Sequence, residues 1–140
     1  MATLYLSLGT NLGDRQSNLD TALTLIAREV GTIIAASDII ETEPWGFDSP
    51  NQFLNMAVKV QTNLQPLEVL RTTQEIERTL GRNHKTVNGV YHDRLIDIDI
   101  LLYDNLVMNS PELTIPHPRM YQRSFVIQPL AQIAPELIKN

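Results

Sequence analysis

Hydrophobic residues alternate with small or polar ones at Leu4, Leu6 and Leu8, the two-residue period of a strand with one buried face. Gly9-Thr10-Asn11-Leu12-Gly13-Asp14 comes next and reads as turn chemistry. The period then changes. Leu19, Ala22, Leu23, Ile26 and Val30 recur at helical spacing, and Gly31 is a suitable stop. Thr32 to Ile40 is rich in β-branched residues, which predicts a second strand. Glu41 to Gln52 holds two prolines, a glycine and an Asp-Ser-Pro-Asn run, and is expected to be a long loop. Phe53 to Gln61 predicts a third strand, with Leu54, Met56, Val58 and Val60 in alternation.

Pro66 suits the first turn of a second helix, on which Leu70, Thr73, Ile76, Glu77 and Leu80 share a side before Gly81. Leu95 to Tyr103 carries the clearest strand pattern in the chain. Asp104-Asn105 turns it toward Leu106-Val107-Met108, and Pro111, Pro116 and Pro118 punctuate the next stretch of chain. Phe125 to Ile133 predicts a short last helix before Pro135. The order is strand, helix, strand, strand, helix, strand, then a tail of short elements. That is the βαββαβ pattern of a ferredoxin-like α+β sandwich, an antiparallel sheet covered by helices on one face. Its length of 140 residues fits a single domain, residues 1–140. Because this fold hosts unrelated activities, the site must decide function.

Composition narrows the field. At 43% hydrophobic and 19% charged the chain is ordinary for a folded globular protein. It has no cysteine, which excludes disulfides and thiolate metal sites. The first residues show no basic leader, and no apolar run approaches the roughly 20 residues that span a bilayer. A cytoplasmic location without membrane association is therefore expected. The net charge of −5 argues against nucleic-acid binding driven by phosphate neutralisation. One segment departs from that balance: Arg82, His84, Lys85, His92 and Arg94 are opposed there by Asp93 alone. A basic loop in an acidic protein points to a small anionic ligand.

The strongest candidate chemistry lies just after that loop. In Arg94-Leu95-Ile96-Asp97-Ile98-Asp99-Ile100-Leu101-Leu102-Tyr103, alternation places Ile96, Ile98, Ile100 and Leu102 on one face. Asp97 and Asp99 then share the other, with α-carbons about 6.5–7 Å apart. Two carboxylates repel each other in a stretch where Thr would serve a strand better. Hard oxygen donors so placed suit magnesium, which keeps waters that phosphates can replace. A solvated strand face is the plain alternative. Gln74 and Glu77 lie three apart on the second helix, either toward this site or on a wet surface. His117, between Pro116 and Pro118, could donate to a phosphate or cap a turn. Arg94, His117 and Arg123 together could surround a triphosphate, since arginine's fork matches phosphate oxygens. Trp45, Phe53 and Phe125 could wall a planar substrate, with Asn55 reading a heterocycle edge; Phe53 and Phe125 could equally be core.

Assembled, these motifs resemble the 6-hydroxymethyl-7,8-dihydropterin pyrophosphokinase family. The similarity runs from Leu8-Gly9-Thr10-Asn11-Leu12-Gly13 through Glu41-Thr42-Glu43-Pro44-Trp45-Gly46, Phe53-Leu54-Asn55 and Gln74-Glu75-Ile76-Glu77. It continues through Gly81-Arg82 and the Arg94–Leu101 stretch to Pro116-His117-Pro118-Arg119-Met120 and Arg123-Ser124-Phe125. The resemblance implies pyrophosphoryl transfer from ATP to the hydroxymethyl oxygen of the reduced pterin, releasing AMP, with two magnesium ions. It implies Asp97 and Asp99 as metal ligands, and Arg82 and Arg94 as phosphate-handling residues. Gln74, Glu77, Ile100, Thr114, His117 and Arg123 match nucleotide-contacting positions. Thr42, Glu43, Trp45, Phe53, Asn55 and Phe125 match the pterin pocket, and a monomer is expected. The chain departs from the family's usual pattern at His84, Tyr91, His92-Asp93 and Glu112.

The rival readings are a ferredoxin-like binding module, either a small-molecule regulator or an RNA-recognition domain, and another magnesium-dependent enzyme; a regulator would have no use for carboxylates aligned with arginines. An RNA-recognition module would need exposed sheet aromatics with basic flanks, where this chain puts two aspartates. A magnesium-dependent nuclease or nucleotidyltransferase would be favoured if Asn55 and the aromatics lay remote from the carboxylates.

Overall fold

The structure, a computed structural model, describes residues 1–43, 51–81 and 95–138. Strand β1 (Ala2–Thr10) leads into helix α1 (Arg15–Glu29), then β2 (Gly31–Ala36), β3 (Ile40–Thr42) and β4 (Phe53–Thr62). Helix α2 (Pro66–Gly81), β5 (Asp97–Tyr103), the short β6 (Met108–Asn109) and β7 (Thr114–Ile115), and α3 (Ser124–Ile133) complete the order. The strands β2-β4-β1-β5 form one antiparallel sheet, and β3 pairs with β4. This order, with the helical crossovers α1 and α2, is the ferredoxin-like arrangement expected from the element pattern. Among the described residues no helix is long and apolar enough to cross a membrane.

Helices cover both faces of the sheet, not one. Leu4, Leu6, Leu8, Met56, Val58, Val60, Ile96, Ile98 and Ile100 face α1 and α2, packing on Leu19, Ala22, Ile26, Val69 and Ile76. Tyr5, Ala57 and Leu101 face the other way, against Val126 and Leu130 of α3 and the nearby Met120. The periodicity of Phe125–Ile133 predicts the last helix without assigning it a face, and the helix's own apolar side needs this second layer.

Three local expectations give way, each for a physical reason. The second strand is interrupted: Ser37 Oγ accepts from Ala57 N while Ser37 N donates to Ala57 O. A serine hydroxyl thus replaces a rung of the ladder, and the next residue's Asp38 N turns to Gln132 Oε1 of α3. The chain rejoins β4 as β3, so Glu41 and Thr42 belong to a strand and not to a loop. Likewise Gly9 and Thr10, read as turn residues, are the last pair of β1, opposite Asn55 and Leu54.

The third concerns β5, which begins at Asp97 and not at Leu95. Leu6 pairs with Ile100 but Tyr5 pairs with Leu102, leaving Leu101 as a bulge residue. An extra residue shifts the alternation, so Leu102 leaves the face of Ile96, Ile98 and Ile100 and joins Leu101 toward α3. The bulge also frees the Leu101 carbonyl to accept from His117 N at 2.9 Å.

Leu101→Ala should therefore remove about 2–5 kcal/mol of stability in urea unfolding, as expected for a fully buried leucine. Leu102→Ala, which truncates a half-buried side chain, should cost clearly less. A reversed ranking would show that simple alternation holds through Leu102.

Candidate active site

The site grows out of strand register. Across β4, β1 and β5, Asn55 lies opposite Gly9 and Gly9 opposite Asp97; in the next row Ala57, Ser7 and Asp99 are aligned. Opposed residues project to one face. Since Ile96, Ile98 and Ile100 are buried under α1 and α2, Asp97 and Asp99 both project toward the α3 side. The two carboxylates stand on one face, both half-buried. Asn55 is two strands from Asp97, roughly 10 Å at normal strand spacing. The amide is therefore close to the acids.

Gly9 makes this juxtaposition possible. A Cβ there would sit 3.1 Å from Asn55 Oδ1 and 3.4 Å from Phe53 Cδ1. The bare backbone lets both side chains lie over β1, a close approach that glycine allows at some cost to strand stability. Asn55 is buried, and its Nδ2 donates to Thr42 Oγ1 at 2.6 Å. That bond uses one of the amide's two N–H donors and fixes which end of the group is which. Glu43 accepts from Gln52 Nε2 at 2.7 Å, tying the end of β3 to the start of β4.

Arg123, just before α3, is only 7% exposed. Its Nη1 lies 3.8 Å from Asp99 Oδ2, and its guanidinium is 5.6 Å from the Phe125 ring centroid. A buried cation needs such neighbours, since unpaired burial of charge is costly. Phe125 is half-buried near the start of α3 and packs partly on the Tyr5–Leu101 cluster, so it is in part core.

His117 is tied down twice. Its N–H bonds to the bulge carbonyl of Leu101, and its Nδ1 accepts from Arg119 N at 3.2 Å. The second bond caps a turn and, in the neutral ring, assigns the proton to Nε2. Burial lowers the His117 pKa below its ordinary 6.5, the Arg123 charge pushes the same way, and Asp97 opposes both. The imidazole is then a neutral donor at pH 7, within the electrostatic reach of Asp97. The two sequence readings of His117, turn cap and donor, are compatible because they use different nitrogens.

On the far edge, Glu77 Oε2 accepts from Ile98 N at 2.8 Å, so the end of α2 is fastened to β5. Ile100, two residues on in the same edge strand, turns its main-chain groups the same way. Its side chain is buried in the core, so any ligand contact it makes is through the backbone. Gln74 is exposed one turn earlier on α2, and Thr114 is half-buried on β7 beside β5. Trp45, Arg82 and Arg94, with the rest of the basic loop, lie outside the described residues.

Reasoning from sequence misses Gly9 and Ser7. Ser7 is nearly as buried as the core yet polar, in the same row as Asp99. The Leu4-Leu6-Leu8 alternation already puts Ser7 on the opposite face; no local pattern marks that face as the one carrying the site. Among the described residues no cluster of three or more His, Cys, Asp or Glu could hold a metal. Two carboxylates on one strand face are a donor set that suits magnesium, which rarely takes an all-protein cage.

The fold is an antiparallel ferredoxin-like α+β sandwich, and one face carries paired acids, a buried arginine and an amide beside an aromatic ring. The model of the 7,8-dihydro-6-hydroxymethylpterin-pyrophosphokinase family matches residues 5–135, and the chain belongs to that family. It is 54% identical over 138 residues to the 2-amino-4-hydroxy-6-hydroxymethyldihydropteridine pyrophosphokinase of Porphyromonas gingivalis, covering 98% of this chain and 94% of the relative. The Bacillus subtilis protein of the same name is 43% identical, covering 97% and 80%. The fold is similar to that of wild-type Plasmodium falciparum HPPK-DHPS with pteroate, at a TM-score of 0.75 and 17% identity. That alignment covers 93% of this chain, which spans 40% of the longer one.

The geometry yields two expected outcomes. Gly9→Ala should displace Asn55 and Phe53 and weaken binding of a planar heterocycle about tenfold, with nucleotide binding little changed, as titration calorimetry would show. For His117, the folded pKa lies below the unfolded one, so the unfolded chain binds the proton more readily. Its contribution is complete above about pH 6.5 and declines as pH falls toward the folded pKa. His117→Gln should lose less stability than the parent between pH 7.5 and pH 5 in urea titrations; equal losses would place the acid sensitivity elsewhere.

Proposed function

We propose that this chain transfers the pyrophosphoryl group of ATP to the hydroxymethyl oxygen of 6-hydroxymethyl-7,8-dihydropterin, using two magnesium ions and releasing AMP. The observation that carries this reading is the row Asn55–Gly9–Asp97, in which an amide and a carboxylate share one face two strands apart. A nuclease or nucleotidyltransferase has no need of that neighbour. Family membership supports the same reaction.

In this reading the pterin ring lies between Phe53 and Phe125, with Asn55 and Thr42 at its pyrimidine edge and Glu43 and Trp45 completing the pocket. Asn55, oriented by Thr42, offers donor and acceptor to that edge, and Arg123 stacks near the outer ring. The nucleotide takes the β5 edge, where Ile100's main chain, Gln74, Glu77 and Thr114 meet its base and sugar. His117 donates from Nε2 to a phosphate oxygen, and Arg123 offsets charge beside Asp99. Arg82 and Arg94 bear on the phosphates.

Asp97 and Asp99 would hold the magnesium ions, which neutralise phosphate charge and acidify a bound hydroxyl. The pterin hydroxyl oxygen attacks the β-phosphorus and loses its proton to solvent; its bond forms as the bond from that phosphorus to the α–β bridging oxygen breaks, and AMP carries the electron pair away. Phosphoryl transfer of this kind depends mainly on alignment and charge neutralisation. In this reading the sheet supplies the alignment, with the pterin on the α3 side and the nucleotide at the adjoining β5 edge. The proposed setting is the cytoplasm, and the proposed working unit is a monomer.

The test supplies ATP, magnesium and the reduced hydroxymethylpterin and tracks AMP against pterin diphosphate. Equal formation of both is expected; ADP as product would indicate an ordinary kinase. Asp97→Asn should lower kcat by at least about a hundredfold with the far-ultraviolet spectrum unchanged. Retained activity would remove Asp97 from the metal site.

A further inference from the structure

Arg15 begins α1, where the helix dipole and exposed N–H groups favour acidic residues and disfavour a cation. The helix is capped without it, because Asp14 accepts from Ser17 N. The side chain instead reaches away from α1. Its Nη1 donates to Glu41 Oε2 at 2.6 Å and to the Gln52 carbonyl at 3.0 Å. One nitrogen thus joins β3 to the residue that enters β4. Asn11 Nδ2 adds a bond to the Asn51 carbonyl, and Gln52 itself reaches Glu43.

The strand ends so joined carry the pterin side of the site. Thr42 pairs with Phe53, and Asn55 holds Thr42 by its side chain. On the other side, Asn18 of α1 donates to Thr10 Oγ1 and to the Leu12 carbonyl, fixing α1 to the end of β1 beside Gly9. Arg15 therefore spans from the element that anchors Gly9 to the elements that present Thr42, Phe53 and Asn55. An ion pair this exposed adds little to stability. Its geometry suits a different task.

We propose that Arg15 is a positioning residue for the pterin pocket, holding the ends of β3 and β4 in place against β1; this rests on the assignment of Phe53, Asn55 and Thr42 to that pocket. Small displacements of binding groups lower affinity steeply, so the effect belongs in recognition of one substrate and not in folding.

The experiment measures steady-state kinetics of Arg15→Ala, Arg15→Lys and Phe53→Ala, varying pterin and ATP separately and recording melting temperature. Arg15→Ala should raise the KM for pterin about tenfold, with the KM for ATP and the melting temperature close to those of the parent. Arg15→Lys, which keeps the charge and a donor on a differently placed ammonium, should recover part of that loss. Equal rises in both KM values with a lower melting temperature would mark a structural role and overturn the proposal. An unchanged pterin KM in Arg15→Ala, with a raised one in Phe53→Ala, would overturn the positioning role alone. Unchanged values in both variants would overturn the pocket as well.

Discussion

Antiparallel register between β4, β1 and β5 is the constraint on which the site depends. Each row across these strands sets a residue from one strand directly beside another, and the row is fixed by main-chain hydrogen bonds. A slip of one residue on β5 would send Asp97 and Asp99 into the α1–α2 core and bring isoleucines to the α3 side. Burial of Ile96, Ile98 and Ile100 resists that slip, since three large apolar side chains would be exposed by it. The core on one face thus holds the chemistry on the other.

The α3 side does two things with limited surface. Near the middle and far end of the sheet it is closed by Val126, Leu130 and Met120 over Tyr5, Ala57 and Leu101. At the end where β1 finishes it carries Gly9, Asn55, Asp97 and Asp99 instead. Arg123 and His117 mark the border: Arg123 Nη1 lies 3.8 Å from Asp99 Oδ2, and the His117 main chain hangs from the Leu101 carbonyl. The Leu101 bulge serves both: its side chain enters the α3 cluster, and its carbonyl anchors His117. Bulges recur beside active sites because one extra residue can re-aim a side chain without ending the sheet.

Much of this is legible in the chain itself. The periods of Leu4–Leu8, Leu19–Val30, Phe53–Gln61 and Pro66–Gly81 are each clear, and together they specify the ferredoxin-like order. The acids are legible because alternation requires Asp97 and Asp99 to share a face. The features hidden from sequence depend on pairing between distant segments. The Ser37 interruption arises from a hydroxyl bonding Ala57, twenty residues on. The Leu101 bulge is visible only against β1, because Ile100-Leu101-Leu102 is apolar without a break and either face would accept it. Gly9 has turn residues after it and nothing beside it in sequence to show that Asn55 and Phe53 cover it. Arg15's partners lie 26 and 37 residues away, beyond any local pattern.

Positions where this chain departs from what folding alone favours gather around one site. Asp97 and Asp99 interrupt a strongly β-forming run, Gly9 weakens the end of a central strand, and Arg123 places a cation in a nearly dry position. Arg15 adds positive charge to the first turn of a helix. Away from the site, local preference and tertiary role agree: α1 is capped by Asp14, α2 opens on Pro66, and the core strands are aliphatic. Locally unfavourable choices scattered over a surface would need separate explanations. Gathered along the ends of β1, β4 and β5 and the helices beside them, they have one: each sets a polar group, or clears space for one, at the site proposed for the two substrates.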